Sequence, residues 1–172
     1  MNDNLKIFRK DFLNANTWAQ RKEGVPLDLL DALTKEELKI AENELIDSAS
    51  LNDTWQIIGL GHIKSTNSLL KLYDLLSSAK SYFKIVIAHS IFQICGDKEM
   101  VEITLNEAKK VTDQYQIIDF LYMLPDFNDK RVDNLLREFH EHKTYLVAYN
   151  AARVLGLSTD EVVEKFRGKN KL

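Results

Sequence analysis

The sequence predicts an all-α chain, arranged as a short right-handed α-solenoid of stacked antiparallel helix pairs. Three observations lead there. Only 6 Gly and 2 Pro occur in 172 residues, so turns are sparse and long elements are expected over many short strands. Apolar residues recur at 3–4 spacings, the period of one buried helix face. And one unit, an apolar helix, a break and an amphipathic helix, occurs four times at intervals of about 30 residues.

The chain reads as one domain over residues 1–172, with 45% hydrophobic residues, enough for a continuous core. Its N-terminal part, 1–33, is expected to hold two helices. One lies within residues 4–22, with Leu5, Phe8, Phe12 and Leu13 on one side. Gly24, Val25 and Pro26 then make a turn, and Pro26 suits the first position of a short helix through Leu33. The strongest start signal follows at Thr34–Glu37. There a Thr hydroxyl and a Glu carboxylate three residues on can satisfy each other's backbone donors, which is a capping box. Leu38, Ala41, Leu45 and Ile46 form the stripe of that helix, which closes around Ser48 to Asn52.

The repeats begin after this point. Each first helix ends on a large apolar residue: Leu60, Phe92, Leu121 and Leu155. Each break carries residues suited to leaving or entering a helix: Ser65, Gly96 with Asp97, Pro125 with Asn128, and Gly156 with Ser158. Ser158 and Glu161 have the spacing of a second capping box. The second helices show buried-face positions at Leu69, Leu72, Tyr73 and Leu76, then Val101, Leu105 and Ala108. The last two continue with Val132, Leu135, Leu136 and Phe139, then Val162, Val163 and Phe166. Phe83 to Cys95 is apolar nearly all round, so it belongs in the interior. Its Ile85-Val86-Ile87 run has strand character alone, but length and place favour helix.

Leu60-Gly61-His62-Ile63, Val154-Leu155-Gly156 and Tyr145 to Ala152 together resemble HEAT-like helical repeats over residues 34–167. The resemblance implies helix pairs stacked into a short superhelix, with Ala151 and Ala152 facing the neighbouring pair. The family's inter-helix Asp is matched at Asp97 and Asp126. It is missing after Leu60, where Ser65 and Thr66 stand, and Ala148 occupies a position that often carries Arg. Residues 168–172 form a basic tail, expected to fray.

Candidate chemistry is thin. The single Cys95, in the run IFQIC, is expected to be a buried structural thiol. His89 reads as a core histidine, and its neighbour Ser90 points about 100° away along a helix, so the two are no nucleophile–base pair. Glu138 and His142 could share a helix face, but two ligands do not make a metal site. His140 and His142 near a helix end complement its dipole. Gly59-Leu60-Gly61 ends a helix, where a phosphate would meet carbonyls; close helix packing is the better use of these glycines. Asp126 and Asp129 bracket a turn as caps, and the segment DFNDKR lacks the oxygen ligands and central Gly of a calcium loop. No catalytic set, metal or cofactor is expected.

Composition then narrows the partner. The net charge of −3 comes from 26 acidic and 23 basic residues, and Lys outnumbers Arg by 17 to 6. That disfavours duplex nucleic acid, which calls for a basic face rich in Arg. No apolar run approaches the roughly 20 residues of a bilayer span, and the N-terminus lacks a signal-peptide core. The expectation is a soluble, cytoplasmic protein without a membrane role.

In HEAT-like stacks the second helices line the concave face. The resemblance therefore implies a binding surface of Lys71 and Asp74, Glu102 and Asn106, then Asp133, Asn134, Arg137 and Glu138, continued by Lys109, Glu161 and Glu164. Acidic residues outnumber basic ones there, which suits a basic protein partner. The expected function is a non-catalytic protein-binding module, similar to small HEAT-like proteins that neutralise or escort one partner, bacterial immunity proteins among them. A nucleic-acid reading, by analogy with HEAT-like proteins acting on damaged DNA, needs a basic groove with aromatics facing it. Tyr73, Phe139 and Phe166 fall instead on core-facing positions. An accessory protein of a cofactor-lyase type is a third class, which no residue selects.

Overall fold

Helical periodicity governs the chain from end to end, and the computed structural model, which describes residues 3–167, is all-helical with no strand among those residues. The helices are α1 (Asp3–Phe8), α2 (Trp18–Arg21), α3 (Asp28–Asp31), α4 (Lys35–Ser48), α5 (Trp55–His62) and α6 (Leu69–Ser78). They continue as α7 (Ser81–Cys95), α8 (Glu99–Ala108), α9 (Gln114–Leu121), α10 (Lys130–His140), α11 (Tyr145–Val154) and α12 (Asp160–Arg167). A π turn at Arg9–Leu13 extends α1, and 3-10 turns at Thr66–Ser68 and Leu124–Phe127 lead into α6 and α10. The last eight helices are the four pairs read from the sequence. The basic tail, 168–172, lies outside the described residues.

These residues form two compact units. One holds residues 3–79 together with Val86–Asp97; the other holds Lys80–Ile85 together with residues 98–167.

In the first unit, Phe8, Phe12 and Trp55 stack in series, with ring centroids 5.3 and 5.8 Å apart. The helix expected within 4–22 stops at Leu13, where the Asn14 N–H and side-chain amide both donate to the Arg9 carbonyl at 2.9 and 2.8 Å. Thr17 and Gln20 then form a capping box for the separate α2. Pro26 precedes α3 by two residues, and α3 ends at Asp31, short of Leu33. Two forks tie the N-terminal segment down: Arg9 on Glu44 of α4, and Arg21 on Asp53, with Arg21 also lying 4.2 Å over the Trp55 ring.

The Thr34–Glu37 capping box forms as read, with the Glu37 N–H donating to the Thr34 hydroxyl at 3.3 Å and Glu37 accepting the Thr34 N–H at 3.0 Å. Gly59 and Gly61 serve close packing. A Cβ on Gly59 would meet Phe12 at 2.9 Å, and one on Gly61 would lie 2.9 Å from the Ser90 backbone. Ser65 caps the turn into α6 by accepting the Ser68 N–H.

Residues 85–91 of α7 are all buried, His89 included, so the β-branched run is helical and interior. Two apolar-face readings fail here. Cys95, the last residue of α7, is exposed, with its thiol donating to the Ile91 carbonyl at 3.3 Å; the buried run ends before it. Tyr73 is 39% exposed. Its hydroxyl donates to Asp97 at 2.6 Å, a polar tip that favours the surface.

The second unit packs α9 against α11, α10 against α8 and α11, and α11 against α12. Left-handed backbone at Asn128 and Gly156, as at Gly96 in the first unit, breaks the helices where the sequence marked breaks. Asp129 caps α10 and Asp113 caps α9, a start signal easily passed over in Asp113-Gln-Tyr-Gln. The Ser158 hydroxyl accepts from the Asp160 N–H at the start of α12. Ala148 and Ala152 are fully buried against Val162, with Tyr149 and Phe166 around them. Ala152 thus packs against the second helix of its own pair.

Candidate functional site

Each residue of the expected binding surface is at or near the surface, distributed over the two units. In the first, Lys71 is half-buried and Asp74 exposed on α6. In the second, Glu102 and Asn106 of α8 and Asp133, Asn134, Arg137 and Glu138 of α10 are all exposed.

The second unit arranges its six in a definite pattern. Glu102, Asn106 and Lys109 lie at i, i+4 and i+7 on α8, one face of the helix. Arg131, Asn134 and Glu138 form the matching row of α10. Arg131 pairs with Glu102, and Lys109 pairs with Glu138 at 3.7 Å. Both pairs have the same offset along the chain, so α8 and α10 run parallel and side by side. Asp133 and Arg137 lie four residues apart on another face of α10. At the next helix Glu141 accepts from Lys165 of α12 at 2.5 Å.

These ion pairs change the electrostatics read from the sequence. Glu102 and Glu138, two of the acids meant for a basic partner, already face cations within the chain. Asp129 is held down to about 2 by the hydrogen-bonded Arg131 guanidinium, and Lys165 holds Glu141 below the ordinary carboxylate range.

Beside the Lys109–Glu138 pair lies a cleft of about 260 Å³. Ala108, Val111, Ile117 and Leu135 make its apolar floor, Phe139 one wall, and Lys109, Glu138 and His142 its polar rim. The wall is braced from behind, since Phe120 meets Phe139 edge-on at 5.4 Å. His142 is fixed as well: its Nδ1 accepts the Thr144 N–H at 3.1 Å, which requires a neutral ring nitrogen. Burial, and then the charge of Lys143, push its pKa below the ordinary histidine value. His142, read from the sequence as a helix-end residue in preference to a metal ligand, is therefore a neutral rim residue. His140 stands 3.3 Å from Glu141, and His62 pairs with Asp31 at 2.7 Å in the first unit.

A further set escaped the sequence reading. Tyr115 and Asp119 of α9, with Tyr122 just past its end, lie opposite the buried Ile117, and Tyr122 donates to Asn150 of α11 at 2.7 Å. Their i, i+4, i+7 spacing marks the polar face opposite the buried stripe, where periodicity gives no apolar signal.

Among the described residues no helix is long and apolar enough to cross a membrane. The chain matches no protein-family model, no curated protein and no solved structure.

Proposed function

We propose that this chain is a non-catalytic protein-binding module that holds one partner on the second-helix face of α8 and α10. The cleft beside the Lys109–Glu138 pair is the observation that carries the reading. Its volume of about 260 Å³ falls below the roughly 300–1,000 Å³ of sites that enclose a small molecule. An apolar floor with a charged rim, at that size, suits one anchoring side chain of a partner, the usual centre of a binding hot spot. Lys109 and Glu138 then act as a rim that fixes register and excludes water.

The reading keeps the HEAT-like kinship as its architectural premise and the neutralising or escort role as its biological form. The test is a pull-down from lysate of the source, with wild type and Glu138→Lys as paired baits. One stoichiometric protein held by wild type and lost with Glu138→Lys, at equal thermal stability, supports it. Equal retention by both baits removes the cleft from the site. Nucleic acid that elutes as salt rises would replace the protein-partner reading altogether.

A further inference from the structure

We infer that the outer face of α9 and α11 is a second docking surface, taking an arginine- or lysine-bearing segment of a partner protein. The inference stands on residues that the cleft does not use. On α9, Ile117 points to the cleft, while Tyr115, Asp119 and, just past the helix end, Tyr122 lie on the other side.

The face has the make-up of an interaction surface and not of an ordinary solvated one. Tyr115 is 64% exposed, Tyr122 48% and Leu146 of α11 38%. Tyrosines offer large rigid rings with a polar tip, and are enriched where proteins meet. Here the Tyr122 ring is held in place: its hydroxyl donates to the Asn150 side-chain oxygen, and the Asn150 amide donates to the Leu146 carbonyl at 2.8 Å.

Charge selects the occupant. Glu102, Glu107 and Glu138 of the same unit each have a Lys or Arg partner. Asp119 does not. Its one polar partner among the described residues is the Tyr82 hydroxyl, at 3.3 Å. Although the residue as a whole is exposed, neighbouring side chains crowd its carboxylate. That loss of water raises its pKa, the Tyr82 bond opposes the rise, and the negative charge of Asp113 adds to it. Arg153, a turn beyond Asn150 on α11, borders the face at its far end. A carboxylate without a cation, set between two exposed tyrosine rings, is complemented by a guanidinium or ammonium. Such a group would pair with the acid while its flat or apolar part lies against a ring.

The experiment is a fluorescence-anisotropy titration of a labelled octa-arginine peptide with the full chain at low salt. Asp119→Asn and Tyr115→Ala are each expected to weaken binding by about 3- to 10-fold. Asp160→Asn removes the same charge from an exposed position elsewhere on the unit, and is expected to leave affinity within about 2-fold. Asp119→Asn keeps size and shape, so it serves as the test should Tyr115→Ala unfold. Equal losses in Asp119→Asn and Asp160→Asn would reduce the effect to net charge and overturn the proposal, as would an octa-arginine peptide that does not bind.

Discussion

Gly61 shows how little room single positions leave. A methyl group there would sit 2.9 Å from both Cα and Cβ of Ser90, and backbone cannot step aside as a side chain can. Gly61→Ala gains about 1 kcal/mol of helix propensity but meets overpacking of about 1–3 kcal/mol. The expected net is a lower urea midpoint, and an unchanged or higher one would show that α5 and α7 can part. Arg21 acts differently. It forks onto Asp53 at 2.5 and 2.8 Å and stacks on Trp55, a geometry lysine cannot copy. Arg21→Lys should cost about 1–2 kcal/mol, read by denaturant unfolding. His142 adds a pH signature. Its folded pKa is depressed, so the unfolded chain binds the proton more readily below about pH 6.5. Stability should fall as pH drops from 7 through the lowered folded value, and His142→Gln should flatten that part of the profile.

Element boundaries follow local chemistry wherever a side chain can reach a free backbone group. The Thr34–Glu37 box satisfies donors at the start of α4, and Glu37 is itself buried. Thr34→Ala should therefore cost about 1 kcal/mol; a change within error would mean that packing alone sets the start of α4. Elsewhere, pairing between elements matters more than capping. The α8–α10 contact is held over a row of ion pairs that are exposed and screened, so their service is register more than strength. That is why Glu102, judged from sequence a free acid for a partner, turns out to face Arg131. Helix membership of both residues was legible, but their lateral alignment was not, because it depends on how two distant helices slide.

Carboxylates set the pH response of the molecule. Lys110 lowers the pKa of Glu107, Arg131 that of Asp129, and Lys165 that of Glu141. At Asp53, burial pushes upward, but Arg21 and the Trp55 N–H hold the carboxyl below its ordinary value. Groups with depressed folded pKa values contribute stability that is present above their unfolded values, near pH 4. It is lost as pH falls through the folded values, about 2 for Asp129. Urea midpoints should thus drop steeply between pH 4 and about 2. A flat profile there would mean that these pairs persist in the unfolded chain.

Sequence alone determined the all-helical class, the four helix pairs, the Thr34 box and the breaks at Gly96, Asn128 and Gly156. All of these are set by neighbours within a few residues, through backbone donors, positive φ and the 3.6-residue period. Tertiary structure decided the rest. It ended the first helix at Leu13, put Cys95 and Tyr73 at the surface and packed Ala152 against Val162. It also joined Ala108, Ile117, Leu135 and Phe139 into one cleft. Which side of a helix is covered, and by which remote residue, is fixed only when separate elements close-pack, and no local pattern carries that information.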